Sequence, residues 1–388
     1  MPTLTGKWNY PTPTRFGSGR IAELPDACRE LGIKRPLLIT DPGLASLPIT
    51  RKAAAMNEAD GLHTGVFSRI QPNPVGADVD AGVLAFKEGG HDGVIAFGGG
   101  SALDVGKAVA LMAGQTRPLW DFEDVDDWYT RIDEDGMAPV VAVPTTAGTG
   151  SEMGRASVIV KEDEPRKVII FHPKMLPGRV IADPGLTVGL PPKLTAATGM
   201  DALSHCLEAY CAPGFHPLAD GIAVEGIRLV HLALKRAVAD GEDMEARAWM
   251  MAASSMGATA FQKGLGAMHA LSHPIGASLH THHGLTNAVV MPYVLAFNRA
   301  AIEDRIVRLA RYLGLTTPTF DGFMDWVLDL RREIGIPHTL SSLGVGDEHA
   351  AELAPAAAAD PCAGGNPVPV DEAALRALYL RCILGELS

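Results

Sequence analysis

Histidine and aspartate at helical spacing form the most chemically informative pattern in the chain. Asp201 and His205 lie four residues apart, and so do His269 and His273. Residues at this spacing lie on one face of a helix, so each pair would present two metal-binding side chains together. A segment just beyond them adds three more imidazoles, His280, His282 and His283. One carboxylate with several imidazoles is a ligand set suited to a divalent metal, because burying these groups unpaired would be costly.

Two glycine-rich segments could bind the phosphates of a nucleotide. Residues 97–107 run from an apolar stretch into three glycines and then into a helix that begins near Ser101. The backbone N–H groups of such a turn bind anions, and glycine allows a phosphate to approach closely. Residues 144–152 follow a second apolar stretch and add hydroxyl side chains. Two such loops at neighbouring strand ends could hold the two phosphates of a dinucleotide.

The glycine-rich segment departs from both standard phosphate-binding motifs. Leu103 stands where a GxGxxG pattern starting at Gly98 needs its last glycine. The Walker A pattern fails as well, because Ser101 replaces its first glycine and Ala108 replaces the hydroxyl residue that would bind magnesium. A kinase or ATPase is therefore disfavoured.

Asp41 follows a third apolar stretch and supplies a carboxylate at the same predicted edge. It could accept hydrogen bonds from a ribose diol and repel a 2′-phosphate, which would favour NAD over NADP. A solvated loop aspartate or a helix cap explains the residue equally well at this point.

The elements that must position these groups change character along the chain. Residues 37–40, 93–97 and 139–143 are apolar runs typical of strands buried on both faces, and residues 78–87 suit a crossover helix. Later segments have helical period, with Pro274 expected to interrupt one helix: 195–210, 218–239, 244–261, 289–298 and 303–313. We therefore predict a Rossmann-like parallel α/β dinucleotide-binding domain (1–185) and a helical metal-binding domain (186–388).

Composition limits the partners and the compartment. The 388 residues carry 33 Lys plus Arg against 45 Asp plus Glu, a net charge of −12 that disfavours nucleic acid and anionic membranes. No apolar segment approaches the ~20 residues of a membrane helix or resembles a secretory signal. The five cysteines form no CxxC pair, so we expect a soluble protein of the reducing cytoplasm.

Taken together, these motifs resemble the iron-containing (group III) alcohol dehydrogenase family. The resemblance is collinear over nearly the whole chain and is carried by the segments 16–19, 40–41, 71–74, 98–104, 144–152, 198–205, 269–274 and 362–367. It implies an active site in the cleft between the two domains and a small alcohol or aldehyde as substrate. We also expect a homodimer or a higher homo-oligomer.

The resemblance also implies roles for individual residues. The metal ligands would be Asp201, His205, His269 and His283. His273 would lie off the metal, near the nicotinamide, as a proton relay, and His280 and His282 match no ligand position. Leu186 would close over the nicotinamide ribose. The remaining cofactor-binding residues would be Asp41, Asn73, Gly99, Gly100, Ser101, Asp104, Thr145, Thr146, Thr149 and Lys167.

The expected reaction is hydride transfer between nicotinamide and a small alcohol whose alkoxide is stabilised by the metal. We expect NAD rather than NADP, and iron(II) with zinc as the alternative, since imidazole suits both metals. Two departures from the family pattern, at residues 153–154 and 261–264, lie where we expect the shape of the substrate pocket to be set.

Other activities remain open at this point. An oxo-acid reductase of the maleylacetate type, or a hydroxyacid–oxoacid transhydrogenase, would need a cation, and Lys263 could meet a carboxylate. A lyase of the dehydroquinate synthase type is disfavoured because residues 195–211 and 264–286 contain no Lys or Arg. A nucleotide-binding sensor with structural zinc is disfavoured because such sites favour cysteine ligands at suitable spacing.

Overall fold

The computed structural model describes residues 12–164 and 166–387, and within them the chain forms eight strands and thirteen α-helices. The strands are β1 (Thr14–Phe16), β2 (Pro36–Ile39), β3 (Gly65–Phe67), β4 (Gly93–Gly98), β5 (Val140–Pro144), β6 (Ala156–Lys161), β7 (Arg166–Phe171) and β8 (Arg179–Ala182). The helices are α1 (Leu24–Glu30), α2 (Pro42–Ala45), α3 (Pro48–Ala59), α4 (Gly76–Glu88), α5 (Gly100–Met112), α6 (Pro192–Cys211), α7 (Pro217–Ala239), α8 (Met244–Ala260), α9 (Ala267–Leu279), α10 (His283–Tyr312), α11 (Phe320–Glu333), α12 (Asp347–Ala358) and α13 (Glu372–Leu384).

The chain divides into two compact units. One contains the described residues up to 146 together with 150–188, and the other contains 147–149 with the described residues from 189 onward. The first holds a parallel sheet with helices and the second is helical, so the predicted fold class is confirmed. The bounds 1–185 and 186–388 inferred from the sequence stay a prediction.

The first unit is built on a six-stranded parallel sheet in the order β1-β8-β5-β4-β2-β3. The three strands predicted from apolar runs are β2, β4 and β5, and the predicted crossover helix is α4. All six residues of β4 are buried, among them Val94, Ile95 and Phe97. A parallel strand covered on both faces needs such a continuous apolar run, which is why its sequence does not alternate.

The strand register brings the two glycine-rich loops together. Gly98 at the end of β4 pairs with Pro144 at the end of β5, and the N–H of Thr145 donates to the Gly98 carbonyl over 2.9 Å. Gly98 has a φ of +151°, and a Cβ there would lie 2.7 Å from the Cβ of Ala102. Glycine at this position therefore allows α5 to start directly above the strand.

An antiparallel hairpin of β6 and β7 joins this unit and was not predicted from the sequence. Burial alternates along both strands, and the apolar run at residues 168–171 was not assigned to a strand in the sequence analysis. The hairpin is anchored on α5, because the hydroxyl of Ser157 donates to the Asp104 carbonyl over 2.8 Å and the N–H of Val158 donates to the Asp104 carboxylate over 3.0 Å.

The segments predicted at 195–210, 218–239 and 244–261 form α6, α7 and α8, whereas α11, α12 and α13 were not predicted individually. Two other expectations differ from the structure. Pro274 lies inside α9 and does not interrupt it, and the two helices predicted for residues 289–298 and 303–313 are the single helix α10. An internal proline costs about 3 kcal/mol. Residues on both sides of Pro274, such as Leu271 and Ile275, are fully buried, and this packing outweighs the lost hydrogen bond.

Candidate functional site

The structure brings the four predicted metal ligands together from three helices. Asp201 and His205 lie on α6, His269 on α9, and His283 is the first residue of α10. Their candidate ligand atoms all lie within 4.8 Å of one another. The Nε2 atoms of His283 and His205 are 3.7 Å and 4.0 Å from Oδ1 of Asp201. Three of the four residues are buried and His283 is partly exposed.

A glycine allows α10 to start close to α6. A Cβ at Gly284 would lie 2.9 Å from the Cβ of Asp201 and closer still to the backbone of Ala197. Any larger residue would push the two helices apart. The neighbouring His283 reaches the Asp201 carboxylate because of this close packing.

Burial and neighbouring carboxylates shift the pKa values of two candidate ligands. It lowers the pKa of His205 to about 4, so this imidazole is neutral near pH 7. Burial acts on His269 in the same direction, but the carboxylates of Glu208 and Asp201 outweigh it and raise its pKa. Metal binding requires neutral imidazoles.

Glu208 is the first functional residue that sequence reasoning missed. Its Oε2 lies 2.5 Å from Nδ1 of His269, and its Oε1 accepts the N–H of Met268 over 2.7 Å. The signal was present, because Glu208 follows Asp201 by seven residues and so occupies the same face of α6.

Asn287 is the second missed residue. Its amide nitrogen donates to Oδ1 of Asp201 over 2.9 Å and lies 3.2 Å and 3.1 Å from Nε2 of His269 and His283. It follows His283 by four residues on α10, the same spacing that singled out the histidine pairs. The buried amide therefore contacts three of the four candidate ligand residues.

His273 lies beside the four ligands but belongs to a different group. Its Nδ1 is 2.8 Å from Oδ2 of Asp360, and its ring stacks on that of His283 with centroids 5.3 Å apart. Asp360 also accepts the N–H of Cys362 over 2.8 Å. Burial disfavours the charged form of Asp360, but His273 and Cys362 hold the pKa of the carboxyl below its usual value.

The two histidines that match no ligand position lie at the ends of helices. His280 is exposed and ends α9 in the left-handed conformation with a φ of +53°. His282 precedes α10 as its N-cap, and its Nδ1 accepts the N–H of Leu285 over 3.4 Å.

The predicted phosphate-binding residues gather at the ends of β4 and β5. Gly99 precedes α5, and Gly100 and Ser101 begin it. The hydroxyl of Ser101 donates to the Pro72 carbonyl over 2.5 Å, which ties this turn to the loop that contains Asn73. A Cβ at Gly99 would lie 3.3 Å from Cγ2 of Thr146, so the two loops touch.

Asp41 caps a helix and also lies beside the glycine turn. Its carboxylate accepts the N–H of Leu44 over 2.9 Å and caps α2. The same carboxylate stands beside the glycine turn, since a Cβ at Gly98 would lie 3.7 Å from its Oδ2. A helix cap and a cofactor contact are therefore compatible at this residue.

Other predicted cofactor residues have varied surroundings. Asp104 accepts hydrogen bonds from the hydroxyl of Ser151 and from the hairpin, so its carboxylate is engaged within the unit. Lys167 is partly exposed on β7, and Leu186 packs on the core of the sheet unit. Thr149 clusters with the helical unit.

Two lysines near the glycine-rich loop and the candidate ligands are engaged elsewhere. Nζ of Lys107 is buried and donates to the carbonyls of Ser151 and Ala156, so it does not face the glycine turn as a Walker A lysine would. Nζ of Lys263 lies 2.5 Å from the Asp220 carboxylate and 3.3 Å from the Tyr210 carbonyl. Its charge is compensated within the helical unit.

Two family models cover almost the whole chain. The model described as iron-containing alcohol dehydrogenase matches residues 11–184, and the C-terminal model of the Fe-containing alcohol dehydrogenase family matches residues 195–383. The chain belongs to the iron-containing alcohol dehydrogenase family. The family resemblance inferred from the sequence motifs is thereby confirmed.

Individual relatives of this dehydrogenase support the same family assignment. A 4-hydroxybutyrate dehydrogenase of Cupriavidus necator is 40% identical over 92% of this chain and 94% of its own length. An NAD-dependent methanol dehydrogenase of Bacillus methanolicus is 36% identical over 92% of this chain and 94% of its own length. The crystal structure of a 1,3-propanediol oxidoreductase superposes with a TM-score of 0.92 at 32% identity, covering 97% of this chain and all of the other.

Family membership determines the reaction class. The protein is an oxidoreductase that interconverts an alcohol and an aldehyde, and the family implies a divalent metal and a nicotinamide cofactor. These relatives do not favour the oxo-acid reductase, the transhydrogenase or the lyase considered from the sequence. None of the helices in the described part of this dehydrogenase is both long and apolar enough to span a bilayer.

Proposed function

We propose that this dehydrogenase oxidises a small, uncharged alcohol, and reduces the corresponding aldehyde, at a metal bound by Asp201, His205, His269 and His283. One observation carries the proposal: four candidate ligand atoms from three helices lie within 4.8 Å of one another in a largely buried position. We propose iron(II) as the metal and NAD as the cofactor.

The donor set fits a divalent ion. Three imidazoles and one carboxylate would suit iron(II) or zinc. Burying Asp201 beside neutral imidazoles would be costly without a cation. The hydrogen bond that Asn287 donates to this carboxylate brings no compensating charge, because an amide is neutral.

Each residue then has a defined task. When bound, the metal supplies Lewis acidity toward the alcohol oxygen, and the nicotinamide supplies hydride-transfer chemistry. The four ligands hold the ion at one place on the helical unit. His273 accepts or returns the alcohol proton, and Asp360 fixes the orientation of its ring through the 2.8 Å contact to Nδ1.

Cofactor binding falls to the loops of the sheet unit. Gly99, Gly100 and Ser101 present backbone N–H groups at the start of α5 for the diphosphate. Thr145, Thr146 and Asn73 border the same turn. Asp41 would contact the adenosine ribose and disfavour the 2′-phosphate of NADP. The NAD-dependent methanol dehydrogenase among the relatives supports this preference.

The relatives act on both charged and uncharged alcohols, so the choice of substrate class rests on one lysine. The relatives named above act, by their names, on 4-hydroxybutyrate, methanol and 1,3-propanediol. Lys263, the cation considered for an acidic substrate, is paired with Asp220, so we favour an uncharged alcohol. The roles of Asp104, Thr149, Lys167 and Leu186, a homodimer and a cytoplasmic location stay predictions.

A substrate and metal screen tests the proposal. Metal-free protein is reloaded with iron(II) or zinc and assayed with NAD and NADP against short alcohols, diols and hydroxyacids. We expect metal-dependent NAD reduction with short alcohols or diols, and higher turnover with iron(II). Turnover with hydroxyacids alone would contradict the substrate class. Undiminished turnover by metal-free protein would contradict the metal site.

A further inference from the structure

His269 presents its two ring nitrogens to different surroundings. Its Nε2 faces the candidate ligands, lying 3.2 Å from the Asn287 amide nitrogen that also contacts Asp201. Its Nδ1 points away from them, 2.5 Å from Oε2 of Glu208. A neutral imidazole carries one proton, so the nitrogen that holds the proton cannot also bind a metal.

Glu208 is placed to decide which nitrogen holds that proton. It is 5% exposed, and its other oxygen, Oε1, accepts the backbone N–H of Met268 over 2.7 Å. Both of its oxygens are therefore used as acceptors. A carboxylate accepts at both oxygens, whereas an amide has one acceptor oxygen and one donor nitrogen.

We propose that Glu208 is a positioning residue of the metal centre: it keeps the proton of His269 on Nδ1 and leaves the Nε2 lone pair for the metal. The proposal rests on the proposed function, because it assigns His269 as a ligand. Carboxylates that accept the second N–H of a metal-bound histidine orient the ring and select its tautomer, and losing one typically weakens metal binding 10–100-fold.

A purely structural role for Glu208 is the competing explanation. Met268 lies in the first turn of α9, where backbone N–H groups have no partner within the helix. Glu208 could simply satisfy one of these donors. Loss of such a contact would lower the stability of the fold and leave the tautomer of His269 unaffected, so the two roles predict different measurements.

Glu208→Gln separates the two roles with almost no change in side-chain volume. If the amide oxygen accepts the Met268 N–H, the amide nitrogen faces Nδ1 of His269 and favours the tautomer with its proton on Nε2. We expect Co(II) and Zn(II) to bind the variant about 10–100-fold more weakly in chelator competition. The absorption spectrum of the Co(II)-loaded variant should differ from that of the wild type.

Asp360→Asn is the matched control. It makes the same carboxylate-to-amide change against Nδ1 of a neighbouring histidine, His273, which lies outside the four ligands. We expect wild-type Co(II) affinity for this variant. Wild-type affinity and an unchanged spectrum for Glu208→Gln as well, with only a lower unfolding temperature, would overturn the positioning role.

A measurement without substitution covers the case in which Glu208→Gln fails to fold. In ¹⁵N-histidine NMR spectra of metal-free wild-type protein, at a pH where His269 is neutral, we expect its proton on Nδ1. A proton on Nε2 would overturn the inference. Failure of the wild type to bind Co(II) would overturn the proposed metal site and the inference with it. Normal binding with the wrong tautomer would overturn the inference alone.

Discussion

Asp41 carries a charge and caps a helix, and two substitutions separate these roles. Asp41→Asn removes the charge and keeps a side-chain oxygen for the N–H of Leu44, since Asn and Asp are equally good N-caps. Asp41→Ala removes both the charge and the cap. Comparison of the two variants therefore isolates the effect of charge on the choice between NAD and NADP.

The expected magnitude follows from the surroundings of Asp41. The residue is partly exposed, so the aqueous end of the Coulomb scale applies, about 1 kcal/mol for two unit charges 4 Å apart. A 2′-phosphate with a charge of about −1.5 to −2 would then be penalised by about 1.5–2 kcal/mol. We expect Asp41→Asn to raise the NADP-to-NAD ratio of kcat/KM by about 10–30-fold.

Steady-state kinetics with both cofactors, together with thermal unfolding, show whether the charge of Asp41 affects the choice of cofactor. Asp41→Asn should change the cofactor ratio with little change in stability. Asp41→Ala should change the ratio similarly and lose about 1 kcal/mol of unfolding free energy with the cap. If Asp41→Asn leaves the ratio unchanged while Asp41→Ala loses stability, Asp41 is only a helix cap and its assignment to the ribose is wrong.

Three further predictions concern the helical unit. His269→Ala should abolish turnover and bound metal while NAD affinity, measured by fluorescence titration, stays near wild type; full metal content would refute its ligand role. His273→Gln should keep the metal by elemental analysis but lower turnover and change its pH profile, whereas metal loss would make His273 a ligand. Gly284→Ala places a Cβ 2.9 Å from that of Asp201 and should lower the unfolding free energy by about 1–3 kcal/mol. The control Gly221→Ala, where an added Cβ meets nothing within 4 Å, should be neutral or slightly stabilising in the same denaturation assay.

Local sequence pattern identified three central strands whose burial is continuous. The runs that became β2, β4 and β5 are apolar without interruption because both faces of a parallel strand are covered. The hairpin of β6 and β7 was missed although residues 168–171 are apolar, and its burial alternates along both strands instead of being continuous. The interruption predicted at Pro274 was wrong. Proline does remove a helical hydrogen bond, but the packing of buried neighbours on both sides outweighs that loss.

The candidate ligands show the same limit. Spacing alone placed Asp201 beside His205 and His269 beside His273, since four residues make about one helical turn. It could not choose His283 over His280 and His282, and that assignment came from family resemblance.

Only the tertiary structure decided the contacts between distant segments. Gly284 lets α10 approach Asp201, Glu208 meets His269 across 61 residues of chain, and Lys263 is paired with Asp220. Helical periodicity determines which face a side chain occupies, but the partner that it meets depends on how whole helices pack. The sequence by itself therefore determined the family, the reaction class and the residue types of the candidate metal site. Packing decided which nitrogen, carboxylate and amide face one another there.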